Sequence, residues 1–156
     1  MEMETRIERV VQSSPETVFS LAAAVEAWPR ILPHYRWVRV LGEDGPNSRT
    51  VEMAARRDVV GHLGIPLRWV AIQTVHPTRR RIEFEHIGGI TRGMRVAWTI
   101  EPRAARPGVV VQIHHMFEPH WPVPDGLVEA VVGEYFVNGV ARRTLQRIAE
   151  LAEKRS

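Results

Sequence analysis

The sequence predicts an α+β fold in which a curved, seven-stranded antiparallel sheet wraps around one long C-terminal helix and encloses an internal cavity. Three observations lead to this prediction. A strand and two short helical segments open the chain, and six strand-like segments separated by short turns follow them. Strands that are joined by short turns pair antiparallel. A helical pattern without proline then covers residues 126 to about 154. The element order is β-α-α-β6-α, in a single domain over residues 1–156.

The first helix is predicted from its capping sequence. Ser14 can accept hydrogen bonds from the free amides of the first turn, and Pro15 lies where a missing N–H costs nothing. Apolar residues then recur at helical spacing as far as Val25. Because proline disfavours the helical conformation in the residue before it, Trp28-Pro29 is expected to break this helix. A second short helical turn is predicted over residues 30–32.

The strands are predicted from alternating apolar and polar residues. They cover residues 5–12, 36–41, 50–57, 65–75, 81–87, 94–101 and 109–118, and residues 42–48 form a turn by composition. An antiparallel sheet of this kind buries one face and exposes the other. A single helix is too narrow to fill the concave face of such a sheet, so the apolar rows are expected to line a cavity. A bulge in the last strand would turn His114 and Gln112 inward in place of His115.

Composition excludes several classes of protein. The chain has 156 residues, enough for one domain with a substantial core, and it contains no Cys, which excludes disulfides and Cys-ligated zinc. Its net charge is +3, but 18 acidic residues offset 21 basic ones that are scattered and carry no nucleic-acid motif. No apolar run is long enough for stable membrane insertion, and the N-terminus lacks a signal pattern. We expect a cytoplasmic monomer or homodimer without a nucleic-acid partner.

Four sequence segments carry a resemblance to a known superfamily. They are Val25 to Tyr35, Trp69-Val70, Val96 to Thr99 and Arg147-Ile148. They resemble landmarks of the helix-grip superfamily, which includes START domains, birch-pollen-allergen-like proteins, coenzyme Q-binding proteins and polyketide aromatase/cyclases. The chain is most similar to the aromatase/cyclases, over nearly its whole length. The resemblance implies a helix-grip fold with a hydrophobic ligand in its cavity, although this superfamily uses one cavity for many ligands.

The resemblance also assigns individual positions. Trp28 and Tyr35 match residues that line the cyclase pocket, and Asn138 matches an Asn on the final helix. Where the aromatase/cyclases carry a Ser and an Arg two residues apart on the fourth strand, this chain has Ala71 and Gln73. The resemblance therefore implies that the cationic anchor for a poly-β-keto chain is missing. Residue 136 is a Phe where some relatives carry a His.

Four residues are candidates for catalysis, each with a structural alternative. Tyr35 can donate a proton to a ligand carbonyl, or it can be a boundary aromatic with its hydroxyl in water. His86 and His115 can shuttle protons from the cavity wall, or they can be hydrogen-bonded core residues. Arg57 can reach the pocket mouth and pair with a carboxylate or enolate, or it can be a solvated strand end.

Residues with no role in proton transfer complete the predicted site. We interpret Trp28 as a rim residue and Trp98 as core, and Trp69 fits either place. A metal site is not expected, because His114 and His115 point to opposite faces of a regular strand and the sequence has no H-x-H or H-E-x-x-H motif. No cofactor is expected. The predicted ligand-binding residues are Trp28, Met53, Trp69, Ala71, Gln73, Phe84, Val96, Trp98, Ile113, Phe136 and Asn138.

Three functions are compatible with these observations. The first is an aromatase/cyclase that encloses a poly-β-keto chain and assists its aldol closure and dehydration, with proximity supplying several kcal/mol. The second is a non-enzymatic carrier or chaperone for a lipid or quinone, similar to the coenzyme Q-binding proteins. The third is an interaction module, which requires a filled cavity. An apolar cavity without paired acid and base groups would favour the carrier.

Overall fold

A seven-stranded antiparallel sheet and a C-terminal helix make up the fold, as predicted. The computed structural model describes residues 3–57, 65–89, 91–118, 126, 137 and 139–155, and it describes residues 57, 65 and 66 by their backbone alone. The strands form one sheet in the order β1-β7-β6-β5-β4-β3-β2. Their bounds are β1 Met3–Val11, β2 Tyr35–Gly45, β3 Ser48–Arg57, β4 Ile65–His76, β5 Arg81–Gly89, β6 Met94–Pro102 and β7 Val109–Phe117.

The helices between β1 and β2 differ from the prediction. Helix α1 covers Pro15–Ala23, a 3₁₀ turn covers Val25–Ala27, and α2 covers Trp28–Ile31. The prediction that Trp28-Pro29 breaks the first helix is wrong, because α1 has already ended and Trp28 has helical dihedral angles of −55° and −40°. Pro29 is tolerated because it lies in the first turn of α2, where no intrahelical partner needs its N–H. The Ser14 cap forms as predicted, accepting a hydrogen bond from the Thr17 amide at 3.1 Å.

The predicted turn over residues 42–48 is much shorter in the structure. Strand β2 continues to Gly45 and β3 begins at Ser48, so that the turn itself comprises Pro46 and Asn47. Two register shifts interrupt this part of the β2–β3 pairing. Irregular pairing of this kind accommodates the glycine and acidic residues that made the segment resemble a loop.

The alternation in the last three strands is confirmed. Strand β7 pairs with β1 on one side and with β6 on the other in continuous register, so no bulge rotates its side chains. His115 is consequently buried, whereas the His114 ring lies on the outer face, 2.9 Å from Glu4 Oε1. The buried row of these strands comprises Ile82, Phe84, His86, Met94, Val96, Trp98, Ile100, Val109, Val111, Ile113, His115 and Phe117.

The C-terminal helix, α3, covers Arg142–Lys154 and follows a π-helical turn that includes residues 137 and 139–141. It packs against α1 and β1 through a buried stripe of Leu145, Ile148, Ala149 and Ala152. The predicted start of this helix at residue 126 depends on residues 127–136 and 138, which lie outside the described residues. In the part of the chain that the structure describes, no helix is long and apolar enough to cross a membrane.

Candidate functional site

An internal cavity lies at the centre of the buried side of the sheet, but it is narrow. Its volume is about 40 Å³, which is room for one or two water molecules, whereas pockets for small molecules have volumes of roughly 300–1,000 Å³. Aromatic rings fill much of the space that the curved sheet was expected to leave open. The described residues that line the cavity are Trp28, Tyr35, Met53, Trp69, Phe84, His86, Val96, Trp98, Ile113, His115, Val140, Ala141 and Thr144.

Trp28 lies at the centre of this cavity wall. Its ring is 5.1 Å from that of Tyr35, 6.4 Å from that of Phe84 and 6.2 Å from that of Trp98, between centroids. The indole Nε1–H donates to the Leu21 carbonyl at 3.0 Å, which satisfies one of the open carbonyls near the end of α1. The prediction that Trp28 is a rim residue is therefore wrong. Because α2 begins at Trp28, the helix carries the ring into the core rather than to the edge of the pocket.

A stacked pair of rings forms another part of the wall. The rings of Trp69 and His86 are 5.8 Å apart and almost parallel, at 8°. His86 Nδ1 lies 2.7 Å from the hydroxyl of Thr91, which is itself fully buried. The register shift between β4 and β5 falls next to this pair, between Val70 and Ala71. These contacts fix the plane of the imidazole, and His86 lines the cavity through the rest of its ring.

Tyr35 ends in a buried hydrogen-bonded chain rather than in water. Its hydroxyl bonds to the side chain of Thr144, whose oxygen also lies 2.9 Å from His34 Nε2 and donates to the Val140 carbonyl at 2.9 Å. A hydroxyl has one proton and two acceptor sites. The Thr144 hydroxyl therefore accepts from both Tyr35 and His34, and its hydrogen-bonding capacity is fully used. The alternative of Tyr35 as a boundary aromatic is wrong.

The cavity carries no charge on its described lining at neutral pH. Burial lowers the pKa of His86 from 6.5 to about 3, with a further contribution from His115. Burial also lowers the pKa of His115, to about 4, with a further contribution from His114. Burial raises the pKa of Tyr35 well above its ordinary value. All three groups are neutral at pH 7, so they can orient a ligand by hydrogen bonds but are weak proton-transfer groups.

Two predicted ligand-binding residues, Ala71 and Gln73, are buried but do not line the cavity. Gln73 Nε2 donates to the Ala23 carbonyl at 2.9 Å, and its Oε1 accepts from Arg49 Nε at 2.8 Å. Arg49 in turn forms an ion pair with Glu26. Gln73 thus connects the end of α1 to the sheet, and both the nitrogen and the oxygen of its amide already form hydrogen bonds.

The side chains of three other predicted site residues lie outside the described part of the structure. The backbone of Arg57 ends β3, but its side chain lies outside the described residues, as do Phe136 and Asn138 altogether. Their assigned roles remain predictions. Within the described residues, no group of three or more His, Asp or Glu side chains is arranged to hold a metal ion.

Sequence reasoning missed the polar partners of the cavity. Of these partners, Thr144 is the easiest to predict from the sequence. It falls four residues before Ile148 and therefore lies within the buried stripe of α3. A polar residue in such a stripe requires a buried partner. His34 and Thr91 carry no comparable signal, since both belong to connections between elements.

The fold is similar to those of several solved structures. Zhui aromatase/cyclase from Streptomyces sp. R1128 is 21% identical, with a TM-score of 0.77 over 99% of this chain and 96% of that one. A protein of Thermus thermophilus is also 21% identical, with a TM-score of 0.77 over 99% of both chains. A START superfamily protein from Mycobacterium smegmatis is 19% identical, with a TM-score of 0.67 over 99% of both chains. At these identities the similarity establishes the fold alone.

Sequence comparison identifies the family. No curated protein sequence matches the chain. A family profile described as polyketide cyclase / dehydrase and lipid transport matches residues 11–143. This match spans well over half of the chain and includes most of the described cavity lining. The protein therefore belongs to the polyketide cyclase/dehydrase and lipid transport family.

Proposed function

We propose that this protein binds a neutral, hydrophobic, ring-bearing small molecule in the aromatic cavity. The observation that carries the proposal is the composition of the cavity wall. Its described lining consists of aromatic and aliphatic side chains with four polar groups, on Tyr35, His86, His115 and Thr144, that are uncharged at pH 7. Rings stack on such a wall, and the polar groups give hydrogen bonds to a carbonyl or hydroxyl. A charged ligand would find no counter-charge on this wall.

The small volume of the cavity requires the ligand to separate side chains as it binds. Burial of roughly 300 Å² of apolar ligand surface is worth about 7 kcal/mol. This exceeds the cost of moving a few side chains, at about 0.5–1.5 kcal/mol for each one immobilised, but the loss of translational freedom consumes much of the rest. Micromolar affinity corresponds to about 8 kcal/mol net, so ring stacking on the aromatic wall and hydrogen bonds to its polar groups must supply what the area term leaves short.

Binding is tested with the tryptophans of the wall as reporters. A naphthalene-type polyketide mimic, a short-chain quinone and a fatty acid are titrated while the fluorescence of Trp28, Trp69 and Trp98 is recorded. We expect saturable quenching by the two ring-bearing probes. Ala141→Leu should weaken it at least tenfold by filling the cavity, whereas Ala104→Leu, the same change on an exposed turn, should not. No response to any probe would contradict the proposal and favour an interaction module.

A specific observation favours a carrier as the second candidate function. The groups proposed for acid and base catalysis are neutral and weak in proton transfer. Gln73 carries no charge and therefore offers no cationic anchor, and its amide already bonds to Ala23 and Arg49. A carrier needs only the apolar wall. The aromatase/cyclase alternative instead uses enclosure of a poly-β-keto chain and the hydrogen bonds of Tyr35 and His115.

Incubation of the protein with a poly-β-keto substrate separates these two candidates. Regioselective cyclisation faster than in buffer, and slowed on the order of 10²-fold by Tyr35→Phe, would establish the cyclase. Binding of the ring-bearing probes without any acceleration would establish the carrier. Tyr35→Phe retains the ring that contacts Trp28, so it removes the hydroxyl without opening the wall.

A further inference from the structure

A second concave feature lies on the surface behind the wall of the cavity. We call it the basic cleft, and its volume is about 470 Å³, within the range of small-molecule pockets. One wall is a face of α3, where four residues at spacings of three and four point the same way. The opposite wall is formed by the loop after α2 and the end of β3. Its polar lining residues are His34, Arg56, Arg143, Gln146, Arg147 and Glu150.

The lining of the cleft carries an excess of positive charge. Among the described lining residues, three guanidinium groups face one carboxylate, that of Glu150. This carboxylate already accepts from Gln146 Nε2 at 3.2 Å and from Arg147 Nη1 at 3.4 Å. Among the ion pairs of the described residues, none includes Arg56, although six other arginines of the sheet and its turns are paired with carboxylates. The lining therefore favours an anionic ligand over a neutral or cationic one.

The framework of the cleft is rigid. Arg147 Nε donates to the Ile31 carbonyl at 3.2 Å, which joins α3 to the end of α2. The Arg56 amide donates to the His34 carbonyl at 2.7 Å, which joins the end of β3 to the loop. His34 is buried and bonds to Thr144 on its inner side. Hydrogen bonds thus hold the Arg56 backbone and the Arg147 side chain in place. The cost of ordering on binding falls on the side chains of Arg56 and Arg143, at about 0.5–1.5 kcal/mol each.

We propose that the basic cleft binds a phosphate group. Guanidinium groups match phosphate oxygens with paired hydrogen bonds, and a phosphate monoester carries about −1.5 to −2 charge at pH 7, which complements the cleft better than one carboxylate does. This site goes beyond the proposed function, because its ligand is anionic and hydrophilic while the aromatic cavity takes a neutral one. The phosphate can belong to a soluble phosphate monoester or to a lipid headgroup.

The proposal is tested at constant ionic strength with two probes. Glycerol 3-phosphate is titrated by calorimetry, with glycerol as the uncharged reference, and phosphatidic acid in phosphatidylcholine vesicles is tested by co-sedimentation against phosphatidylcholine alone. We expect saturable binding to at least one probe. Binding of the soluble probe assigns a soluble phosphate monoester, and binding of the vesicles alone assigns a lipid headgroup.

Matched charge removals make the outcome specific. Arg56→Gln and Arg143→Gln should each weaken binding at least tenfold, whereas Arg9→Gln, an equal change at an exposed residue of β1, should change it less than twofold. Equal weakening by all three variants, or saturable binding to neither probe, would overturn the proposal. Quenching by the ring-bearing probes should be unchanged in Arg56→Gln and Arg143→Gln, so failure here leaves the proposed function of the cavity intact.

Discussion

Thr144 and His34 lie 110 residues apart in the chain, yet the threonine hydroxyl is 2.9 Å from His34 Nε2 in the core. This contact joins α3 to the loop that precedes β2. Tyr35, which lines the cavity, forms a hydrogen bond with the same threonine hydroxyl. The Thr144 side chain therefore links the packing of α3 against the loop before β2 to the orientation of the Tyr35 hydroxyl in the cavity wall.

Replacement of Thr144 should show the value of that hydroxyl. Thr144→Val keeps the shape of the side chain but leaves His34 and Tyr35 without their shared acceptor. We therefore expect the free energy of unfolding to fall by about 1–3 kcal/mol. Thr144→Ser keeps the hydroxyl and should cost less than the Val variant does. Chemical denaturation of the two variants measures the difference, and equal stabilities would contradict the assigned hydrogen bonds.

Stability should fall as the solution becomes mildly acidic. In the unfolded chain His86 and His115 take up protons near pH 6.5, but in the folded protein they do so only near 3 and 4. The unfolded state therefore binds more protons in between, and the contribution of these residues is complete above pH 6.5 and is lost as the pH falls towards 4 and then 3. Between pH 6.5 and 5, His86 and His115 should each lower the free energy of unfolding by about 2 kcal/mol.

The pH effect can be assigned by variants of one strand. Denaturation curves between pH 7 and 5 avoid the titration of most carboxylates. His115→Gln should flatten the pH dependence by about one histidine's contribution, whereas Gln112→Leu, a change of a non-titrating residue on the outer face of β7, should not flatten it. A slope that survives in His115→Gln would show that its buried imidazole is not responsible.

The glycine at the end of β5 should not tolerate a side chain. Gly89 has a φ of +93°, and a Cβ there would lie 2.5 Å from the Arg68 carbonyl oxygen. Both the backbone conformation and the contact oppose substitution, so Gly89→Ala should destabilise the protein by about 1–3 kcal/mol. Gly42→Ala serves as the control, because a Cβ at that position would have nothing within 4 Å of it and its effect should stay within about 0.5 kcal/mol. Thermal unfolding of both variants provides the comparison.

Gln73 is expected to matter for stability rather than for ligand binding. Gln73→Leu removes the donor to the Ala23 carbonyl and the acceptor of Arg49 in a buried place, which should cost about 1–3 kcal/mol. Affinity for the ring-bearing probes should change less than threefold, because this side chain does not line the cavity. Gln112→Leu removes a surface amide and should be nearly neutral. A large loss of probe affinity in Gln73→Leu alone would return this residue to the binding site.

The sheet and its buried rows were predictable because alternation is a local property. Phe84, Val96, Trp98 and Ile113 could be assigned to one face from parity alone, and the structure buries all of them. The position of Trp28 was not predictable in this way. The rule for a residue before proline favoured a break, but burial of an indole against three other rings outweighs that local preference.

The polar half of the site required three-dimensional information. The partners of Tyr35 and His86 are Thr144 and Thr91, and no sequence period connects either pair. The width of the cavity was also misjudged, since it depends on how aromatic side chains fill the concave face rather than on the number of helices that cover it. Parity indicates which side chains point inward but does not give the space that remains between them.

The pairing of β1 with β7 has a consequence for how the chain is made. Within the described part of the chain, residues 3–11 find their one neighbouring strand in residues 109–117. During synthesis at about 5–20 residues per second, the N-terminal strand therefore waits roughly 5–20 s for its partner to be translated. The hairpins from β2 to β6 can form in that interval, because each joins neighbours in the sequence. The newborn chain consequently holds an unpaired strand and an open sheet edge until its last third leaves the ribosome, and this is the period in which it most needs protection from aggregation.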